Sequence, residues 1–139
     1  ALAAANAQLS EKTFPDGVFF VDLAPLSDIA QIMPTVIDAL SVPSLRKADD
    51  DATRSALIGY LGKRELLLIF DNFEHLLEGV DLLAAIVQDA PRTQLLVTSR
   101  ERLQLRAEQL FPIDGLEFPD WETPEDATAL RFSNDVHAA

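Results

Sequence analysis

Apolar and polar residues follow one another along this chain in blocks that predict alternating strands and helices. The clearest block is Leu66–Phe70, five apolar residues in a row. It is too short for a helix and too unbroken for a half-exposed strand, so it predicts a strand buried on both faces of a parallel sheet. Asp71 and Asn72 end it abruptly. Val18–Leu23 has the same character, apolar except for Asp22 near its carboxyl end, and Leu95–Val97 predicts a third buried strand, followed by Thr98, Ser99 and Arg100. Helical periodicity fills the intervals. Ile29, Ile32, Met33, Val36, Ile37 and Leu40 share one face behind Ser27 and Asp28. A second helix covers about Ala52–Leu61 and stops at Gly62, a suitable residue beyond a helix end. Phe73, Leu76, Leu77, Val80, Leu83, Ala84 and Val87 form one stripe at the 3.6-residue period, ending near Ala90 and Pro91.

The remaining stretches are less regular. Ala1–Gln8 is alanine-rich without an N-cap and reads as the back half of a helix. Pro15-Asp16-Gly17 is a turn signal. Pro34 either kinks the first helical pattern or marks the first turn of its main part. Ser41–Asp51, with Pro43 and three successive aspartates, is expected to be a surface loop. Glu101–Glu108 is charged and predicts a short helix, and Leu110–Ile113 a weaker strand that Pro112 confines to an edge or an end. Phe118–Trp121 reads as a loop, and Thr123-Pro124-Glu125 opens a last helix over 123–139. Strands alternating with helices predict a mostly parallel sheet with right-handed crossovers, in one domain spanning 1–139.

Bulk properties narrow the function. A hydrophobic fraction of 48% and a mean hydropathy of +0.10 indicate a folded chain. The net charge of -12 repels phosphate backbones, so no direct contact with nucleic acid is expected. The chain has no cysteine, hence no disulfide, thiolate metal site or thiol nucleophile, and the cytoplasm is the expected compartment. His75 and His137 are too few and too separated to suggest zinc. No apolar run approaches membrane-spanning length, and the start lacks the order of a signal peptide.

Candidate chemistry gathers where strands end. If the three strands are parallel neighbours, Asp22, Asp71-Asn72 and Thr98-Ser99-Arg100 converge on the carboxyl edge of the sheet, where open α/β sheets bind ligands. Asp71 suits a phosphate-bound Mg²⁺, which keeps several waters and takes few carboxylates from a protein. The competing reading makes Asp71 or Asn72 the N-cap of the next helix. Arg100 is matched to phosphate oxygens. Its competing reading is a surface ion pair with Glu101 or another nearby acid.

Leu-Leu-Leu-Ile-Phe-Asp-Asn-Phe-Glu-His-Leu-Leu over 66–77, followed by Leu-Leu-Val-Thr-Ser-Arg-Glu-Arg-Leu over 95–103, resembles the NB-ARC-like STAND P-loop NTPases of bacterial multidomain transcriptional regulators. Val-Phe-Phe-Val-Asp-Leu-Ala-Pro-Leu-Ser-Asp over 18–28 and Gln-Leu-Phe-Pro-Ile-Asp-Gly-Leu over 109–116 fit the same pattern in the same order. The resemblance implies a three-layer α/β/α sandwich and a nucleotide switch, ADP-held when off and ATP-bound when on. It implies a place between a DNA-binding domain and tetratricopeptide-type repeats. Asp71 resembles the Walker B aspartate that holds Mg²⁺. Asn72 stands where many relatives have a second acid, which implies slow ATP hydrolysis. Thr98, Ser99 and Arg100 resemble the sensor-1 segment that reads the γ-phosphate, and Pro112–Leu116 the stretch that passes near the base.

The chain departs from the family where phosphate is held. A P-loop needs G-x-x-x-x-G-K-[ST], and the only Gly-Lys, Gly62-Lys63, is followed by Arg64 and precedes a strand. The chain therefore looks like a fragment beginning after the Walker A motif, with Ala1–Gln8 as the remnant of the following helix. ATP or ADP with Mg²⁺ is expected in the intact parent, and neither tight nucleotide binding nor activity in this piece. In the family's fold the strand before the P-loop lies centrally, so the resemblance implies that its loss leaves the three strands in the order first, second, third, with the far edge of the third open. Either Leu110–Ile113 fills that edge, or two chains pair across it as a homodimer. The alternative to a nucleotide switch is a nucleotide-independent interaction module; an unrelated doubly wound enzyme is weaker, as no nucleophile–base pair or glycine-rich cofactor turn is present.

Overall fold

The apolar run at 66–70 becomes the middle strand of a three-stranded parallel sheet in the computed structural model, which describes residues 13–114. The expected helices at 1–8 and 123–139 lie outside the described residues. The strands are β1 (Val18–Asp22), β2 (Leu67–Asp71) and β3 (Gln94–Val97), in the order β1-β2-β3. Between β1 and β2 come helices α1 (Ile32–Ala39) and α2 (Asp50–Leu61), and between β2 and β3 comes α3 (Val80–Asp89). The fold is α/β with parallel strands joined by helices, as the alternating pattern predicts. The chain divides into two units, Ala1–Glu108 and Gln109–Ala139. All of these elements belong to the first.

Alternation along β2 sorts its side chains to two faces. Leu66, Leu68 and Phe70 join Val21 and Leu23 in a large core with Val36 and Ile37 of α1, Leu57 and Leu61 of α2, and Leu83 and Ile86 of α3. Leu67 faces the other way, in a small cluster with Phe14 and Val18 against which Ile69 packs. On that second face Phe20, Ile69 and Leu96 stand in one row across the sheet. Phe20 is 45% and Leu96 49% exposed, so the row is largely open to solvent.

Local chemistry explains where the elements begin. Asp28 caps a 3-10 turn, Ile29–Gln31, through a capping box with Gln31, and α1 follows directly. Pro34 falls in the first turn of α1, where its missing N–H would have no helical partner. The expected loop at 41–51 needs correction at both ends. Pro43–Leu45 is a 3-10 turn that buries Leu45, and Asp49 is the N-cap of α2, accepting from Ala52 N–H at 2.7 Å. Asp50 and Asp51 occupy the first turn, where carboxylates suit the positive end of the helix dipole. Gly62 ends α2 at φ -61, so it needs no left-handed conformation; it is small because a Cβ would sit 3.2 Å from Asp89 O and 3.3 Å from Ile58 O.

Three further expectations are corrected. The stripe from Phe73 to Val87 is not one helix, because the chain from 72 to 76 is tied to the end of β3 and α3 starts only at Val80. Leu95–Val97 is not buried on both faces; as the edge strand, β3 alternates between exposed and half-buried. Glu101–Glu108 has no regular secondary structure. Leu103 and Leu105, two residues apart, both pack on the core, which suits an extended segment rather than a helix. In the second unit, the described residues 109–114 form no strand, so the weak strand expected at Leu110–Ile113 is absent.

Candidate functional site

Parallel strands bring their carboxyl ends to one edge. Asp22 and Asp71 are register partners there, and Thr98 directly follows Val97, the partner of Phe70. Thr98 is the hub of the edge. Its hydroxyl donates to Asp71 Oδ1 at 2.6 Å and accepts from Asn72 N–H at 2.9 Å. Its own N–H donates to Phe70 O at 2.9 Å, and its carbonyl accepts from Phe73 N–H at 3.0 Å. These bonds turn the chain sharply after β2, with Asn72 in the left-handed region at φ 69. Asparagine is one of the few side chains that tolerates that conformation.

Neither Asp71 nor Asn72 caps a helix, which removes the competing reading of both. The N-cap of α3 is Gly79, eight positions beyond Asp71, and it makes no side-chain cap bond. Asp71 is half-buried and takes part in no ion pair among the described residues. One of its oxygens is fixed by Thr98; the other has no protein donor among the described residues. Asp22 is exposed, and its Oδ1 accepts from Ala24 N–H at 3.1 Å.

The other sequence-predicted residues are placed less tightly. Arg100 forms its ion pair with Glu74 rather than Glu101, Nε to Oε1 at 3.7 Å, with the arginine side chain 91% exposed. So long a contact in water contributes little stability and leaves the guanidinium standing in solvent. Ser99 Oγ accepts from Glu101 N–H at 3.1 Å and shapes the turn after β3. Pro112 belongs to the second unit and is exposed. Gly62-Lys63 closes α2, with Gly62 N–H donating to Ile58 O at 2.8 Å, so it offers no phosphate cradle.

Two residues of the edge escape a reading of the sequence. The Asn72 side-chain amide, turned with its nitrogen toward Glu74, donates to both carboxylate oxygens, at 2.5 and 2.9 Å. Glu74 thereby joins the network Asp71–Thr98–Asn72. His75 Nε2 lies 3.1 Å from Leu23 O and 2.9 Å from Leu26 O. Both partners are acceptors, so Nε2 carries the hydrogen and donates to them. Bonds from a side chain to distant carbonyls leave no periodicity or motif to read. Beside His75 is an open cleft of about 350 Å³ whose lining includes Asp28, Glu74 and Glu78, acids that would repel a phosphate. Among the described residues no three metal-ligating side chains converge. No described helix is long and apolar enough to cross a membrane.

No family model matches the chain, and no solved structure matches it. Over 106 residues, 76% of its length, it is 29% identical to a protein of Mycobacterium bovis named "Putative HTH-type transcriptional regulator". Counterparts of the same name in two strains of Mycobacterium tuberculosis match equally. The chain spans 12% of the length of these relatives. It is thus similar to one segment of much longer transcriptional regulators.

Proposed function

We propose that this chain is the switch segment of a signal-transducing transcriptional regulator, and that the longer protein binds ATP or ADP with Asp71 on its Mg²⁺ side. One observation carries the reading. Asp71 stands at the carboxyl end of the central parallel strand, with one oxygen held by Thr98 and no cation paired to it among the described residues. That is where ligands sit in open parallel sheets. A lone oriented carboxylate also suits Mg²⁺, which is bound through one or two carboxylates plus water and substrate phosphates. The donor set fits the ion; the phosphate cradle itself is not among the described residues.

On this reading Asp71 binds Mg²⁺ directly or through water, and Thr98 orients Asp71. The bound ion would neutralise phosphate charge. Arg100, exposed at the same edge, supplies a guanidinium for a terminal phosphate after leaving Glu74. Asn72 supplies no second carboxylate at this edge, which suits a slow ATPase. The similarity to HTH-type regulators supports a DNA-binding domain elsewhere in the longer protein, and tetratricopeptide-type repeats are part of the same proposal.

Calorimetry of the longer protein with ADP and Mg·ATP tests this reading. Micromolar binding there, with none by this segment alone, is expected; no binding by the longer protein overturns it. A nucleotide-independent interaction module is the second reading, favoured by the open row Phe20–Ile69–Leu96.

A further inference from the structure

We infer that His75 is a positioning residue for the Asp71 edge, stapling the loop after β2 to the turn after β1. The inference rests on the proposed role of Asp71 only for what the positioning serves. Leu23 is bracketed by the two ends of this staple. Its N–H donates to Asp71 O at 3.2 Å, and its carbonyl accepts from His75 Nε2 at 3.1 Å. The same Nε2–H reaches Leu26 O at 2.9 Å, and Leu26 N–H closes the turn by donating to Leu23 O at 3.0 Å. Asp71 and His75 therefore grip one short turn from both sides.

The opposite side of the loop is held by Thr98, through Asn72 N–H and Phe73 N–H. The loop that follows Asp71 is thus suspended between β3 and the β1 turn. Among the described residues, His75 supplies the only side-chain bonds from this loop to that turn. Helix α1 begins six residues beyond Leu26. A displacement of α1 that pulls on the turn acts through Leu23 and His75 on the loop that follows Asp71. A two-carbonyl acceptor pair calls for a single fixed N–H donor, which an imidazole with hydrogen on Nε2 supplies.

The test is NMR on this chain, with variants His75→Phe, which keeps a ring without a donor, and His75→Gln, which keeps a donor. Long-range ¹⁵N–¹H spectra of the wild type should show hydrogen on Nε2 and a bare Nδ1 in the neutral ring; the reverse tautomer overturns the staple. Losing one net hydrogen bond of ordinary strength should speed local opening about fivefold. Amide exchange at Leu26, Asn72 and Phe73 should therefore rise about fivefold together in His75→Phe, with Leu68 and Ile86 unchanged, and fall back toward wild type in His75→Gln. If Leu26 responds while Asn72 and Phe73 do not, His75 only trims its own turn and the inference fails. The two claims are tested separately. With no phosphate present, broadening at Asp71 by added Mn²⁺ is not required by the metal role proposed above, which calorimetry of the longer protein decides, while the exchange pattern, which needs no ligand, decides for or against His75.

Discussion

Replacing Thr98 with valine deletes one hydroxyl while keeping a branched side chain of nearly the same shape. The hydroxyl makes two bonds, to Asp71 Oδ1 at 2.6 Å and from Asn72 N–H at 2.9 Å. A hydrogen bond to a charged group contributes about 1.5–3 kcal/mol and a neutral one about 0.5–1.5 kcal/mol. Both are upper values here, because Thr98 is exposed and water can replace the lost partner. Valine also suits a strand end better by a few tenths of a kcal/mol. The net expectation is a loss of about 1–2 kcal/mol for Thr98→Val and under about 0.5 kcal/mol for Thr98→Ser, which keeps the hydroxyl. Urea unfolding followed by circular dichroism reads this as a lower midpoint at unchanged slope. If valine destabilises no more than serine, the hydroxyl contributes no more than the methyl group at this position, and Thr98 is not the hub of the edge.

The core makes sharper contrasts. Phe70 is fully buried and meets Phe73 edge-on at 6.3 Å between ring centres, so Phe70→Ala should cost about 3–5 kcal/mol. Leu96→Ala, on the open face, should cost under about 1 kcal/mol in the same unfolding assay. Two glycines should respond with opposite signs. Gly59 lies inside α2 with no atom within 4 Å of where a Cβ would stand, so Gly59→Ala should stabilise by about 0.5–1 kcal/mol. At Gly79 a Cβ would overlap Ile32 Cδ1, so Gly79→Ala must displace a buried side chain and should destabilise by about 1–3 kcal/mol. Thermal melts of the two glycine variants should move in opposite directions.

How much of this is legible in the sequence depends on whether a signal is local. The three strands and the polar residues that end them follow from apolar runs, a pattern the sequence displays directly; the order of the strands comes from the family resemblance, and the meeting of Asp22, Asp71 and Thr98 follows once the strands pair in parallel. Helix α1 is legible for the same reason. The aspartates at 49–51 mislead because charge alone does not distinguish a loop from a cap and first turn; the cap is set by Asp49 accepting from Ala52 N–H. The stripe from Phe73 to Val87 misleads because burial also puts apolar residues in a loop, where Phe73 and Leu76 are both core. Leu103 and Leu105 reach the same core from an extended segment, which a run of charges obscures. Glu74 and His75 cannot be assigned from the chain alone, since their partners are Asn72 in a left-handed turn and two carbonyls about fifty residues upstream.

The proposed role of Asp71 predicts how nucleotide affinity in the longer protein, measured by calorimetry, depends on Mg²⁺. In the wild type, Mg²⁺ should tighten ADP or ATP binding. Asp71→Ala should remove most of that Mg²⁺-dependent gain, and Asn72→Asp should change it less. Equal nucleotide affinity with and without Mg²⁺ in both the wild type and Asp71→Ala would contradict the assignment of Asp71 to the metal.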